Sequence, residues 1–263
     1  MKDNPLMERP DIHRAAAIGF QASVDAYQRG RPDYLREAVE FLAEKLGLGP
    51  GKTVCELGAG TGKFTKTLAD VSRATIVAVD PVEAMRTKFA ELLPQIRVLD
   101  GTAENIPLES RSVDAVVVAQ AFHWFRGEVA LEEIHRVLKP GGRLGLLWNA
   151  RDERVAWVEK LTRIIDPIEG GVPQYRHFGW RKAFESTTLF GPLEKGEFWY
   201  RHPSTPDSVC DRIASISFIA ALSEERRRAV LEQVREMLRQ DAETRGKENF
   251  DFPYRTDVYW CHT

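Results

Sequence analysis

Apolar positions along this chain fall into two alternating kinds of segment. Short runs that are β-branched or wholly apolar occur in Val54-Cys-Glu-Leu57, Thr75-Ile-Val-Ala-Val79, Ile96-Arg-Val-Leu99, Val113-Asp-Ala-Val-Val-Val-Ala119 and Leu144-Gly-Leu-Leu-Trp148. Between them the apolar residues recur at three- and four-residue spacing, as in Phe64, Leu68 and Val71 and in Leu131-Glu-Glu-Ile-His-Arg-Val-Leu138. Strands alternating with amphipathic helices predict an α/β fold with a doubly wound, mostly parallel sheet. Val116 to Val118 are too uniformly apolar for a surface strand, which predicts a central strand covered on both faces. Upstream, Leu35, Val39, Leu42 and Leu46 share a helical face, with Asp33 as the expected N-cap just after Pro32.

The last third breaks the alternation. Phe198 and Tyr200 predict a strand over residues 193–203. Val230, Val234, Met237 and Leu238 place one face on a helix over 224–241, and the aromatic, β-branched stretch at 255–261 predicts a closing strand. A chain of 263 residues can bury a substantial core as one domain. The expected division is 1–50 as N-terminal cap helices, 51–152 as a ligand-binding core, and 153–263 as a helical lid with the closing strands.

Charge and cysteine content narrow the partners. A net charge of -2 provides no basic field for nucleic acid, so no nucleic-acid partner is expected. Cys55, Cys210 and Cys261 lie far apart without metal-ligand spacing, which predicts reduced thiols and no metal site. No apolar run approaches a signal peptide or a membrane span, so a cytoplasmic protein without a membrane partner is expected, as monomer or homodimer.

Candidate chemistry concentrates where runs end. Glu56-Leu-Gly58-Ala-Gly60-Thr-Gly62 joins a buried strand to a helix through glycines that let the backbone turn and a ligand lie against it. The spacing is not the Gly-x-Gly-x-x-Gly of dinucleotide sites, and the Glu56 carboxylate would repel a pyrophosphate, which argues against a nicotinamide oxidoreductase. An acid there suits a ligand with an ammonium group and positive charge. Asp80 ends the next run eighteen residues after Gly62. Two roles fit it: accepting from ribose hydroxyls, or capping the helix that begins near Pro81.

The segment 56–62 resembles the first motif of the class I S-adenosylmethionine-dependent methyltransferases. Lys139-Pro-Gly-Gly142 before the fifth strand strengthens the resemblance over residues 50–150. Gln-Ala-Phe-His-Trp-Phe at 120–125, Trp-Asn-Ala-Arg-Asp at 148–152 and Pro-Tyr-Arg-Thr-Asp-Val-Tyr-Trp at 253–260 are similar to the small-molecule, trans-aconitate methyltransferase-like branch. The resemblance implies a Rossmann-like, seven-stranded sheet ending in an antiparallel pair, and S-adenosylmethionine as cofactor. It places Glu56, Gly58, Ala59, Gly60, Asp80 and Pro81 against that cofactor. Thr102, Ala103 and Glu104 would border the adenine, although many relatives carry an acid where Thr102 stands, and Gln120 would reach the methionine portion. Tyr27 and Arg31 either cover the cofactor or form a surface loop with an aromatic plug.

For the acceptor side, His123 and Trp124 follow the central strand and can face the methyl group. His123 is either a general base or substrate contact, or a packed, hydrogen-bonded histidine. Trp148 and Asn149 at the next strand end can border the substrate. Arg255 and Tyr259 are either substrate contacts under a lid or ordinary strand residues. The reaction implied is in-line methyl transfer to a small molecule, with a carboxylate, hydroxyl or phenol as acceptor. A non-catalytic S-adenosylmethionine-binding sensor or scaffold is the alternative.

Overall fold

The computed structural model describes residues 24–263. The side chain of Tyr27 and the part of the expected N-terminal cap before residue 24 lie outside the described residues.

Five parallel strands form the frame: β1 (Thr53–Leu57), β2 (Thr75–Val79), β3 (Arg97–Leu99), β4 (Val113–Ala119) and β5 (Leu138–Arg151). With β6 (Glu194–Ser204) and β7 (Phe250–His262) they make a seven-stranded sheet in the order β3-β2-β1-β4-β5-β7-β6. Strand β7 runs antiparallel to both of its neighbours. The chain reverses direction across the sheet between the adjacent strands β1 and β4, which is where such sheets open a crevice for a ligand.

Helices α1 (Val24–Gly30), α2 (Arg36–Lys45), α3 (Lys63–Ser72), α4 (Glu83–Leu92) and α5 (Gly127–Val137) precede or link these strands. Strand β4 is covered on both faces, as its sequence predicts. Val116 and Val118 enter one apolar cluster with Leu131 and Ile134 of α5, while Ala115 and Val117 enter another with Leu42 of α2 and Leu68 of α3. Burying each such aliphatic side chain contributes about 1.5–3 kcal/mol, and this two-sided burial is what holds the strand ends in fixed positions.

Beyond the parallel core the three last strands overhang. Strand β5 pairs with β7 as far as Arg151↔Tyr254, and Phe250 to Pro253 continue against β6 alone. On this ledge sit α6 (Ala156–Ile165), α8 (Pro206–Ala214), α9 (Ser217–Ala220) and α10 (Glu224–Gln240). Their Trp157, Leu161, Ile213, Ile219 and Val234 close around Phe252 and Tyr254 as a third core. The short α7 (Lys182–Ser186) packs instead on the sheet-side cluster through Ala183 and Phe184.

Three expectations shift. Leu35, not Asp33, occupies the N-cap of α2, without a side-chain cap; Asp33 pairs with Lys63 at 2.9 Å. Strand β5 starts at Leu138 and takes in the Lys139-Pro-Gly-Gly142 turn. Strand β7 starts at Phe250, five residues before the expected closing strand. No helix among the described residues is long and apolar enough to cross a membrane.

Candidate functional site

The β1–α3 loop is shaped by what its glycines exclude. Gly58 has φ +68°, and a Cβ there would stand 2.6 Å from Cβ of Ala121, just past the end of β4. Only a glycine allows both this left-handed backbone and this approach of the loop to β4. Gly62, at φ +85°, is the N-cap of α3 and lies against Leu93 and Phe89, with no room for a side chain.

Behind the loop Glu56 is buried at 1% exposure, and its Oε2 accepts a 2.6 Å hydrogen bond from the Thr65 hydroxyl. Desolvation pushes its carboxyl up to about 8; the Thr65 bond opposes this and the nearby Asp80 adds to it. It forms no ion pair with a cation among the described residues. The Asp80 carboxylate fastens the loop: Oδ2 accepts from the Gly60 N–H at 2.8 Å and Oδ1 from the Val82 N–H at 2.9 Å. Burial raises Asp80 to about 6 despite these two bonds. It does not cap α4, whose N-cap is Val82 without a side-chain bond; Asp80 instead closes a turn two residues before that cap, and Pro81 lies between them.

After β3, Thr102 is buried and its hydroxyl oxygen has no hydrogen-bond partner. Ala103 is packed in the core. The Glu104 carboxylate accepts from the Arg126 N–H at 2.7 Å, at the N-cap of α5. Past β4, Gln120 adopts φ +62°, and its side-chain amide donates to the Asn149 carbonyl at 3.3 Å. The chain then makes a short 3-10 turn, Phe122–Trp124.

A cavity of about 630 Å³ opens at this end of the sheet, the size of a small-molecule site. Of the sequence-predicted residues it is lined by Arg31, Gln120, His123, Trp124, Asn149 and Arg255. Arg31 donates to the Ser215 carbonyl at 3.1 Å, which ties the segment after α1 to the cap. Arg255 also forms a 2.7 Å ion pair with the fully buried Asp257, so much of its charge is already compensated.

Trp148 and Tyr259, both expected at the substrate, are instead fully buried behind the cavity wall. Side chains alternate along β5, and Trp148 turns into the cluster of Leu144 and Leu146. There it stacks on Tyr175 with ring centroids 4.6 Å apart. Tyr259 pairs in register with Leu146, well inside the sheet, whereas Arg255 pairs with Ala150 at the ligand-facing edge. The Tyr259 hydroxyl reaches only that of Tyr175, at 2.9 Å.

The structure also brings in residues that sequence reasoning missed: Arg151 at the end of β5, Arg212 of α8, Tyr175, Phe178 and Trp199. Arg151 and Arg212 form no ion pair among the described residues, and Nε and Nη1 of Arg212 are buried without hydrogen-bond partners. Burial and the neighbouring positive charge of Arg212 push Arg151 down to about 10. Both arginines are half-buried and face one cavity, with Glu153 close to Arg151 but not ion-paired with it, so an anion arriving between the two guanidiniums would relieve their mutual repulsion.

A doubly wound sheet of this order, with an acidic glycine loop at the β1/β4 switch point and an acceptor-sized cavity opening at the same end, has the architecture of the Rossmann-like methyltransferases. The chain belongs to the class I S-adenosylmethionine-dependent methyltransferases. Residues 55–146 match the family described as "Methyltransferase domain". An uncharacterized methyltransferase of Mycobacterium tuberculosis (strain ATCC 25618 / H37Rv) is 38% identical over 247 residues, spanning 92% of this chain and 95% of the relative. An uncharacterized methyltransferase-like protein of Schizosaccharomyces pombe is 33% identical over 240 residues, spanning 91% of this chain and 93% of its own. Among solved structures, a methyltransferase assigned to an antibiotic biosynthesis pathway of Anabaena variabilis shares the fold with a TM-score of 0.61 and 23% identity, over 88% of this chain and 98% of that one.

Proposed function

We propose that this methyltransferase acts on a small-molecule acceptor bearing at least one carboxylate or phosphate, gripped between Arg151 and Arg212. The observation that carries the reading is this pair, without an ion pair among the described residues and with two Arg212 nitrogens unpartnered, in the cavity beside the glycine loop. A planar guanidinium fork matches an anionic group bidentately, and a dry site makes the match strong. Trp124, Phe178 and Phe218 supply apolar walls for the rest of the acceptor.

The residues present fit the cofactor. Glu56 is a buried acid in need of a cation, Thr102 holds a buried unpartnered hydroxyl, and Gly58 lets the loop carry a left-handed backbone tight against Ala121 at the end of β4. On this reading Glu56 meets the ammonium group, the Gly58–Gly60 backbone and Pro81 line the ribose side, and Thr102 to Glu104 border the adenine. When bound, S-adenosylmethionine supplies a methyl group on a positively charged sulfur that leaves as a neutral thioether. The chain's part is then to align the acceptor and exclude water, which can account for ~7–11 kcal/mol of a barrier.

The test is transfer of labelled methyl from S-adenosylmethionine to matched pairs of small acids and their amides. Turnover of acids with no turnover of the amides is expected. Equal turnover of both, or amides alone, would overturn the anionic assignment. The sensor alternative predicts no turnover across the whole panel despite cofactor binding, and the arginine pair argues against it because a cofactor sensor has no use for a second, anion-selective cavity.

A further inference from the structure

One hydrogen bond behind the cavity has a direction fixed by chemistry. The indole N–H of Trp148 can only donate. It lies 3.2 Å from Nδ1 of His123, so Nδ1 accepts and carries no proton. The single proton of the neutral ring is then on Nε2. Trp148 is held rigidly in this task, being fully buried with Tyr175 and Trp180 each 4.6 Å away by ring centroids. His123 is pinned from its own side as well: the Trp124 N–H donates to the Ala121 carbonyl at 2.9 Å and the Phe125 N–H to Phe122 at 3.1 Å. With Nδ1 engaged in the core, the polar atom that His123 has left for the cavity is Nε2, as a donor.

We infer that Trp148 locks His123 as a permanent Nε2–H donor to an oxygen of the acceptor, and that His123 is not the base of the reaction. The donor role rests on the anionic acceptor proposed above; the lock itself does not. A general base must offer a lone pair. The one lone pair of this ring is taken by Trp148. Protonation is opposed too, because burial and the positive charge of Arg31 push the ring down to about 3. Arg151, Arg212 and Arg255 face the same cavity and act in the same direction, while of the three acids Asp152 is paired with Arg154, Glu169 is tied to Arg176 and His177, and Glu153 is exposed.

A base is also unnecessary. An acceptor oxygen that is already an anion takes up the methyl carbon as the carbon–sulfur bond breaks, the electron pair stays on sulfur, and no proton changes hands. Trp148 is therefore a positioning residue, acting through His123, and the pair favours acceptors that present an oxygen at that point over those that present a protonated nitrogen.

The lock can be read directly by nitrogen NMR of protein labelled at histidine, with the His123→Gln variant identifying the signal. The expected result is an Nε2–H tautomer, with an unprotonated Nδ1, whose shifts do not move from pH 6 to pH 9. An Nδ1–H tautomer, or titration within that range, would overturn the lock without any acceptor being known. The donor role is read by kinetics. Glutamine retains an N–H donor at the position of Nε2, so His123→Gln is expected to keep the acceptor KM within about threefold, and His123→Leu to raise it on the order of ten- to hundredfold, as for a lost hydrogen bond to a charged group. Equal loss in both variants, together with loss of an acidic limb in the rate profile, would restore the base. Turnover of neutral amides with the tautomer intact would instead count against the anionic acceptor alone.

Discussion

Replacing Glu56 by glutamine separates the stability of the fold from its function. Glu56 is an acid whose carboxyl burial pushes up from its ordinary 4.5 to about 8. The folded protein therefore holds this proton more tightly than the unfolded chain does. The associated stability is fully present below pH 4.5, and is lost as pH rises toward 8. Each pH unit in that window costs about 1.4 kcal/mol, so the protein without cofactor is expected to lose about 3 kcal/mol from this group between pH 5 and pH 7. Glutamine keeps an oxygen to accept from Thr65 and never ionises. Urea unfolding of both proteins from pH 5 to pH 8 should show the wild type losing stability relative to Glu56→Gln as pH rises. Calorimetry at pH 8 should show the variant binding S-adenosylmethionine at least tenfold more weakly, because the ammonium group has lost its charged partner. Parallel pH–stability curves for the two proteins would refute the reasoning.

Gly58→Ala should cost about 3 kcal/mol in urea unfolding, from the left-handed backbone and from a new Cβ 2.6 Å from Ala121. Adding Ala121→Gly should recover part of that loss and part of the cofactor affinity; no recovery would mean that backbone strain alone matters. Trp199 is 43% exposed, with the Arg154 guanidinium 3.5 Å and that of Arg255 5.3 Å from its ring centre. Trp199→Ala should lower stability by less than about 1 kcal/mol, yet raise the acceptor KM by loosening Arg255, and an unchanged KM would remove Trp199 from the acceptor site.

Much of the fold was legible because it is written in contiguous segments. A strand buried on both faces must be apolar throughout, so β4 stood out as Val113-Asp-Ala-Val-Val-Val-Ala119, and the cofactor loop follows β1 without interruption. The acceptor side was less legible for a physical reason. Arg151, Tyr175 with Phe178, Trp199 and Arg212 come from four separate segments and meet only when the cap seats on the β5–β7–β6 overhang. In sequence, Arg212 on α8 cannot be told from any solvated helix residue. Arg151 lay inside the quoted Trp-Asn-Ala-Arg-Asp stretch, and only burial distinguishes it from the paired Arg154. The Trp148 and Tyr259 expectations failed on strand parity and antiparallel register, neither of which composition reveals.

The measurement that tests the account most directly is thermal stabilisation of the protein by succinate and by phosphate, against succinamide as the neutral control, in wild type, Arg151→Met and Arg212→Met. The account predicts that the anions stabilise the wild type and succinamide does not. Either methionine should abolish the anion effect and raise the stability of the anion-free protein by removing one of two like charges that face each other across the cavity. S-adenosylhomocysteine should still stabilise all three proteins, which shows that the variants are folded and keep the cofactor half. Anion stabilisation that persists in both variants, or matches that of succinamide, would contradict the claim that this arginine pair selects the acceptor.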